Sequence, residues 1–272
     1  MEPDSDAPML SEAAQEAFEH VKEEMMVLNH VFVQDKFTMG QLGSDNAKYF
    51  FSVRDSIIYR SNSLMWHTSQ LSSIHADLEL QLHSSFLAGM HTAELLPSHQ
   101  AGLHYLFDDI VFGNVSLLDY VANLVGLVFE GFAQRGKYKW NSAFKSAASN
   151  HGPLSSSETG SLLIQAHKDW VNCLQAYRGD LIHTHAILGN ASHEWKFDAS
   201  GMQLSLRVVI PSNLKKLFTR IPQPHDKLDI CSAAEMIGIT SANLSANILS
   251  SLITRVRTNS NKPWIRDPDT TS

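Results

Sequence analysis

The chain has 272 residues, of which 43% are hydrophobic and 18% are charged, and its formal net charge is -7 at pH 7. This length and hydrophobic content are sufficient for one large packed domain. The acidic balance argues against a protein that coats nucleic acid non-specifically, because such binding needs many lysines and arginines to neutralise phosphates. It still allows a small basic cleft that binds a few phosphates.

Two further bulk features concern location and redox chemistry. The chain begins with an acidic segment, Met1 to Asp6, and its longest uncharged apolar run, around Tyr120 to Phe129, is shorter than a membrane span. We therefore expect a soluble, cytoplasmic protein with no membrane partner. The two cysteines, Cys173 and Cys231, lie outside any metal-ligand spacing, so we expect buried thiols and neither a disulfide framework nor a zinc site.

Helical spacing of apolar residues predicts the elements of the first half. From Ser11 to about Val33, apolar residues recur every three or four positions, which predicts the first helix. A glycine-containing break is expected from Gly40 to Ser44, and a long helix from Leu64 to Leu96, which Pro97 stops. The most apolar stretch, from Leu103 to Phe132, predicts a central helix.

The second half begins with a linker and ends with a change of period. The linker from Gly152 to Glu158 carries a capping signature. The inward side of the helix that follows it would consist of Leu163, Ala166, Trp170, Cys173, Leu174 and Tyr177. Alternating residues from Glu194 to Asp198 and from Met202 to Ile210 predict a β-hairpin, and a final helix is expected from about Leu228 to Val256.

These elements predict an all-α fold, an antiparallel helical bundle with a small β-hairpin and an appended C-terminal helix. Residues 1–60 would form an N-terminal helical segment that packs on the bundle, which itself spans residues 61–190. Residues 191–272 would be appended to the same domain, where they could cover a face of the bundle or serve a dimer contact.

The segment from Ala176 to His185 reads Ala-Tyr-Arg-Gly-Asp-Leu-Ile-His-Thr-His. Arg178 can fork onto a phosphate and stabilise transition-state charge, and His183, five positions later, can carry a proton near neutral pH. This pairing suits phosphodiester cleavage without a metal or another cofactor. Two other arginines precede a histidine at a similar interval, in the pairs Arg60 with His67 and Arg220 with His225.

Context favours Arg178 among the three arginines. Prolines interrupt the pair at Arg220, whereas Arg178 ends a long helical pattern at Gly179, with a potential cap, Asp180, directly after it. In an unbroken helix, residues five apart point about 140° away from each other. We therefore expect a break at Gly179 that turns His183 toward Arg178, or two copies of the chain that combine both residues around one phosphate.

The motif resembles that of the HEPN family, whose ribonuclease members carry an arginine, four to six residues and a histidine in a late helix. Arg178 and His183 match with four intervening residues. The segment from Tyr105 to Val121 is similar to the long preceding helix of stand-alone prokaryotic members, and the similar region spans about residues 61–190. Gly179 stands where members often have Asn, Asp or His, and His185 where some have Tyr.

The resemblance implies a homodimeric, metal-independent endoribonuclease. His183 would act as general acid or base on the ribose 2′-hydroxyl or the leaving oxygen, and Arg178 would bind the scissile phosphate, giving a 2′,3′-cyclic phosphate and a 5′-hydroxyl. It further implies a toxin or antiviral defence effector with an antitoxin or sensor protein as partner. The alternatives are a catalytically inactive HEPN-like module that binds RNA, a nucleotide or a protein, and a purely structural dimerisation protein.

Several neighbouring residues are candidates for supporting roles. His185, Asp180 and Tyr177 flank the motif, and Asp119 or Asp109 could orient Arg178. Cations alternate with aromatic residues between residues 135 and 140, so RNA contacts are expected from Arg135, Lys137 and Lys139. The competing interpretations are a solvated turn at residues 135–140 and a structural ion pair for Arg178. No metal site is expected, although the spacing of His183 and His185 resembles one arm of one.

Overall fold

Four long helices build the core of the molecule: α1 (Glu12–Gln34), α2 (Lys36–Leu87), α3 (Leu96–Glu130) and the C-terminal helix, here α7 (Ile230–Thr258). The computed structural model describes residues 10–34, 36–89, 96–131, 138–149, 151–183, 191–198, 201–214, 217–219 and 229–258. Between α3 and α7 lie α4 (Trp140–Ala148), α5 (Glu158–Ala166), a π-helical turn (His167–Val171), α6 (Asn172–His183), β1 (Ala191–Asp198) and β2 (Gly201–Val208). The predicted mostly helical fold is confirmed.

The most apolar segment lies at the centre, as its composition predicts. Helix α3 packs against α2, α4, α6 and α7. Large apolar residues of the predicted stretch are buried, namely Leu103, Phe107, Ile110, Val111, Leu118, Val121, Val125 and Val128. Each large apolar side chain that is fully buried contributes roughly 1.5–3 kcal/mol. Helix α3 is therefore the element on which the others are positioned.

The C-terminal helix is a core element as well as a cover. Helix α7 packs against α1 along much of its length and also against α3. A Cβ atom built on Gly238 would lie 3.1 Å from the ring of Phe18, so the two helices approach closely there.

Two helices, Gln100–Glu130 and Ile230–Thr258, are long and apolar enough to cross a membrane, whereas the apolar run that the sequence showed around Tyr120 to Phe129 is too short. Because most of the apolar part of each helix is buried inside the bundle, their length and composition are weak evidence for a membrane protein.

Helix α2 differs from its predicted boundaries. The backbone is helical without a break from Gly40 to Ser44, and the helix ends at Leu87 instead of Leu96. Pro97 belongs to the first turn of α3. Proline is favoured there, because the first amides of a helix have no partner within the helix. Glycine costs about 1 kcal/mol relative to alanine inside a helix, and a local preference of this size does not by itself end a long helix.

The segment that leads to the arginine motif contains one confirmed and two unpredicted features. The predicted cap is present, because the Ser157 hydroxyl accepts a hydrogen bond of 3.0 Å from the Gly160 amide. Of the predicted inward residues, Cys173 is half-buried and the other five are buried. The π-helical turn between α5 and α6 and helix α4 were not predicted. The spacing of Trp140, Ala143 and Ala147, all buried, is the helical signal of α4.

The predicted β-hairpin is formed by two antiparallel strands. Strands β1 and β2 pair from Ala191 with Val208 to Asp198 with Gly201. Residues 199 and 200, which connect the two strands in sequence, lie outside the described residues. Leu206 and Val208 of β2 are buried, and β2 contacts α2, so the hairpin rests on the long helix.

Candidate functional site

Helix α6 carries the arginine motif and runs through it without a break. Gly179 and Asp180 lie inside the helix Asn172–His183, and Gly179 is not among the glycines with positive φ. A Cβ atom on Gly179 would meet nothing within 4 Å. The predicted break at Gly179 is therefore wrong. Glycine permits a helix end without imposing one, and Asp180 does not begin a new helix.

The continuous helix separates the two motif positions. Positions 178 and 183 lie about 140° apart around the axis and roughly 7.5 Å apart along it. Within one chain, α6 thus does not bring them to one face, and the combination of two copies is the arrangement that stays open. The side chain of His183 and all of His185 lie outside the described residues.

Arg178 projects from α6 toward α3. Its Nη1 atom lies 4.0 Å from Oδ2 of Asp119, and its Cζ atom lies 5.7 Å from the centre of the Phe112 ring. Its Nε atom is buried and has no hydrogen-bond partner in the part of the chain that the structure describes. The side chain as a whole is 34% exposed. Such an ion pair contributes at most about 1 kcal/mol and leaves guanidinium donors for another partner.

Asp119 links Arg178 to the start of α4. Its Oδ1 atom accepts a hydrogen bond of 3.0 Å from the backbone amide of Trp140, the first residue of α4. Lys139 precedes that helix with extended backbone, and its side chain is exposed. The hydroxyl of Tyr138 donates to Glu130 at 2.8 Å. Lys139 is therefore held between two aromatic residues that are each bonded to α3.

Two cavities meet at Arg178. One, of about 320 Å³, lies toward α4 and α6, and the other, of about 380 Å³, lies toward α2. Both are lined by Asp119, Lys139 and Arg178. Two cations thus face one carboxylate, which already accepts an amide hydrogen, and the positive end of α4 adds to the local potential. The junction suits a phosphate group, which arginine and lysine bind with charge-assisted hydrogen bonds.

The other predicted site residues have different positions. Tyr177 is buried, and its hydroxyl donates to Oδ1 of Asp108 at 2.8 Å. Burial raises the pKa of both groups above the ordinary values. Tyr177 therefore anchors α6 on α3 and does not line either cavity, and Asp180 is exposed outside them. Arg135 and Lys137 lie outside the described residues, so Lys139 is the predicted RNA contact that the structure places beside Arg178.

Most of the uncharged polar lining of the cavities was not predicted from the sequence. On α3, Ser116, Asp119, Tyr120 and Asn123 follow helical spacing and form a polar stripe on the most apolar helix. On α2, Tyr49, Ser52 and Ser56 do the same. The two stripes were a detectable signal, but which helices face each other is a tertiary property. Asp119 is the one stripe residue that was expected to orient Arg178.

No group of three or more His, Cys, Asp and Glu side chains in the described ranges is arranged to hold a metal ion. Comparisons with protein-family models, curated proteins and solved structures found no match to this chain. The resemblance to the HEPN family therefore rests on the sequence alone, namely on the motif of Arg178 and His183 and on the segment from Tyr105 to Val121.

Proposed function

We propose that this protein is a metal-independent endoribonuclease that acts as a homodimer. The observation that carries the proposal is the position of Arg178 at the junction of two cavities, where its side chain is 34% exposed and its Nη1 atom lies 4.0 Å from Asp119, beyond hydrogen-bond distance. A guanidinium placed in this way keeps Nη donors for an anion, and a phosphodiester is the anion that RNA supplies.

The proposed reaction transfers one proton at each end of the phosphate. A histidine takes the proton of the ribose 2′-hydroxyl, and the oxygen attacks phosphorus to form the 2′,3′-cyclic phosphate. The bond to the 5′-oxygen breaks, and that oxygen receives a proton from an acid, which gives the 5′-hydroxyl. Arg178 and Lys139 stabilise the additional negative charge on the phosphate oxygens in the transition state. We assign one of these two proton transfers to His183.

The geometry of α6 supports the proposed homodimer. Because positions 178 and 183 lie on different faces, the proposed reaction combines Arg178 of one copy with His183 of the other. Near Arg178, Ile182 is 55% exposed, and a Cβ atom added to Gly179 would have no neighbour within 4 Å. A small residue and an exposed apolar residue on one helix face support the close approach of a second helix.

The resemblance of the motif to that of the HEPN family supports the biological part of the proposal. The protein would be a cytoplasmic toxin or antiviral defence effector, controlled by an antitoxin or sensor protein.

The experiment is cleavage of end-labelled RNA in excess chelator, with the product ends identified. Wild type, Arg178→Ala and His183→Ala are compared, with Arg257→Ala on α7 as a matched control that removes an exposed arginine outside both cavities. We expect cyclic phosphate ends from wild type and the control, and none from the two folded motif variants.

Mixing the two inactive variants tests the combination of chains. If each site takes Arg178 from one copy and His183 from the other, an equimolar mixture after subunit exchange recovers about one quarter of wild-type activity, because half of the dimers carry one intact site. If wild type, Arg178→Ala, His183→Ala and Arg257→Ala are equally inactive or equally active on tRNA, mRNA and rRNA, the catalytic assignment is wrong. Recovery of no activity, with subunit exchange demonstrated, contradicts the shared site.

The continuous helix favours a second candidate, a catalytically inactive module that binds RNA or a nucleotide at Arg178. Such a module keeps the phosphate-binding junction and does not need His183 nearby. It predicts that wild type binds intact RNA without cleaving it, and that Arg178→Ala lowers the affinity while His183→Ala does not. The cleavage and binding measurements together therefore separate the two functions.

A further inference from the structure

The junction at Arg178 continues along the surface between α2 and α3. The cavity toward α2 shares Ser52, Ser56 and Tyr120 with a third, shallow depression of about 610 Å³. That depression extends to Lys48, Tyr59 and Arg60 on α2. We call the connected depressions the α2–α3 groove, which runs from Arg178 and Lys139 through Ser52, Ser56 and Tyr120 to Arg60.

Two contacts fix the direction of the groove. The hydroxyl of Tyr49 donates to Oδ1 of Asn123 at 3.1 Å, and a Cβ atom on Gly113 would lie 3.7 Å from Cδ of Arg60. Since residue 49 pairs with 123 and residue 60 with 113, α2 and α3 are antiparallel. The wall from Tyr49 to Arg60 is roughly 16 Å long. It is long enough for several consecutive nucleotides of an extended strand.

Arg60 resembles Arg178 in its surroundings. Its Nε atom is buried and has no hydrogen-bond partner in the described part of the chain, and its alkyl stem lies against Gly113 of α3. The carboxylate in the same depression, Asp55, is already bonded to Arg54, whose Nη2 lies 2.8 Å from it. The groove therefore presents a second guanidinium whose donors are oriented by packing and not used by the neighbouring acid.

Aromatic residues accompany the cations. Tyr59 is 68% exposed, and the Cζ atom of Arg60 lies 6.0 Å from the centre of its ring. Tyr120 lines both the shallow depression and the cavity at Arg178. An exposed ring beside a cation is the combination on which unpaired bases stack while the adjacent phosphate is neutralised, whereas a duplex keeps its base faces covered.

We propose that the α2–α3 groove binds single-stranded RNA, with Arg60 holding a second phosphate of the strand whose reacting phosphate lies at Arg178 and Tyr59 stacking on a base beside it. The proposal rests on the proposed function, because it takes Arg178 as the position of the reacting phosphate. Arg60 is then a positioning residue that sets how long a strand must be to bind fully.

The test uses fluorescently labelled oligouridines in which every 2′-hydroxyl is methylated, so that binding is measured without cleavage. Affinities of the full-length protein are determined from dinucleotide to decanucleotide and at several salt concentrations. Arg60→Gln should leave the dinucleotide affinity unchanged and weaken the longest strands about ten-fold. It should also reduce the slope of log K against log salt by about 0.7, the value for one phosphate contact on a single strand.

Tyr59→Ala separates stacking from charge, and its exposed position makes unfolding unexpected. It should weaken long strands about ten-fold without changing the salt slope. Arg257→Gln, which removes the same charge from α7, should change neither quantity. Thermal unfolding curves of all variants establish that each is folded.

The outcomes separate this inference from the proposed function. Unchanged binding of long strands by both folded groove variants overturns the inference, as does an equal loss for short and long strands or a preference of wild type for duplex RNA. Length-dependent loss in the groove variants supports it, even if wild type proves unable to cleave unmodified RNA. Loss of dinucleotide binding in Arg178→Gln, by contrast, reports on the proposed function alone.

Discussion

Arg178 and Asp119 are opposed charges that do not neutralise each other completely. Their separation of 4.0 Å is longer than a charge-assisted hydrogen bond, which spans about 2.7–2.9 Å. Asp119 uses its other oxygen for the amide of Trp140. The carboxylate therefore has a structural function at the start of α4 and orients the guanidinium, while Arg178 keeps donors for a ligand. The expected ion pair and the expected phosphate contact are compatible.

A half-buried acid, Asp108, gives the stability of the protein a pH dependence that can be predicted. Burial, with a smaller contribution from Asp109, raises the pKa of Asp108 above 3.8, although the hydrogen bond from Tyr177 lowers it. Between 3.8 and the raised pKa, the folded state holds more protons than the unfolded state, so the free energy of unfolding decreases as pH rises through that window.

Asp108→Asn removes this titration and keeps an oxygen that accepts the hydrogen bond from Tyr177. We therefore expect the variant to gain stability relative to wild type as pH rises above 3.8, and the difference to level off above the raised pKa. The urea unfolding midpoints of wild type and variant, determined from pH 3 to pH 8, measure this difference in stability. A difference that is the same at every pH would contradict the assignment of the titration to Asp108.

At the scale of elements, the continuity of α6 has a direct test. Gly179 is helical, and a methyl group there would meet nothing within 4 Å. Gly179→Ala should therefore raise the free energy of unfolding by about 0.4–1 kcal/mol, because alanine favours the helix and restricts the unfolded chain. Chemical denaturation of wild type and variant measures the change. Destabilisation that does not depend on protein concentration would indicate that the helix is broken at Gly179, whereas destabilisation that increases with protein concentration would indicate that a second copy packs against this face.

Gly126→Ala is the matched control for this substitution. It makes the same change inside α3, but the new methyl group would lie 2.6 Å from the ring of Tyr138. Because Tyr138 directly precedes Lys139, the ring has little room to move without shifting the start of α4. We expect destabilisation of about 1–3 kcal/mol from this overpacking.

Elements with a strong periodic pattern could be predicted, and those decided by packing could not. The inward faces of α1, α3 and α5–α6 follow from apolar spacing, since burial dominates their free energy. The break at Gly179 and the end of α2 at Pro97 were inferred from local preferences of about 1–3 kcal/mol, which packing or helix position can reverse. Arg178 was identifiable from its motif. Its cavity partners were not, because α2, α3, α4 and α6 contribute them from distant parts of the sequence.

At the scale of the whole molecule, the charge distribution distinguishes the groove from the rest of the surface. The chain carries a net charge of -7, yet Lys48, Arg60, Lys139 and Arg178 line the connected depressions. Among the described residues, the lining carboxylates are Asp55 and Asp119, and Asp45 lies 3.8 Å from Lys48. A locally positive groove on an acidic protein concentrates binding at one place, because the remaining surface repels phosphates.

This arrangement limits how strongly salt can weaken RNA binding. A single strand that contacts all four groove cations releases counterions equivalent to a slope of about -3 for log K against log salt, since each contact contributes about -0.7. We expect the long methylated oligouridine to show a slope no steeper than this for each strand bound. A protein that coats RNA through its general surface would give a steeper slope that grows with strand length, and such a result would place additional phosphate contacts outside the groove. The decisive comparison is between strands that just span the groove and strands well beyond it, because the slope should stop increasing once the four cations are occupied.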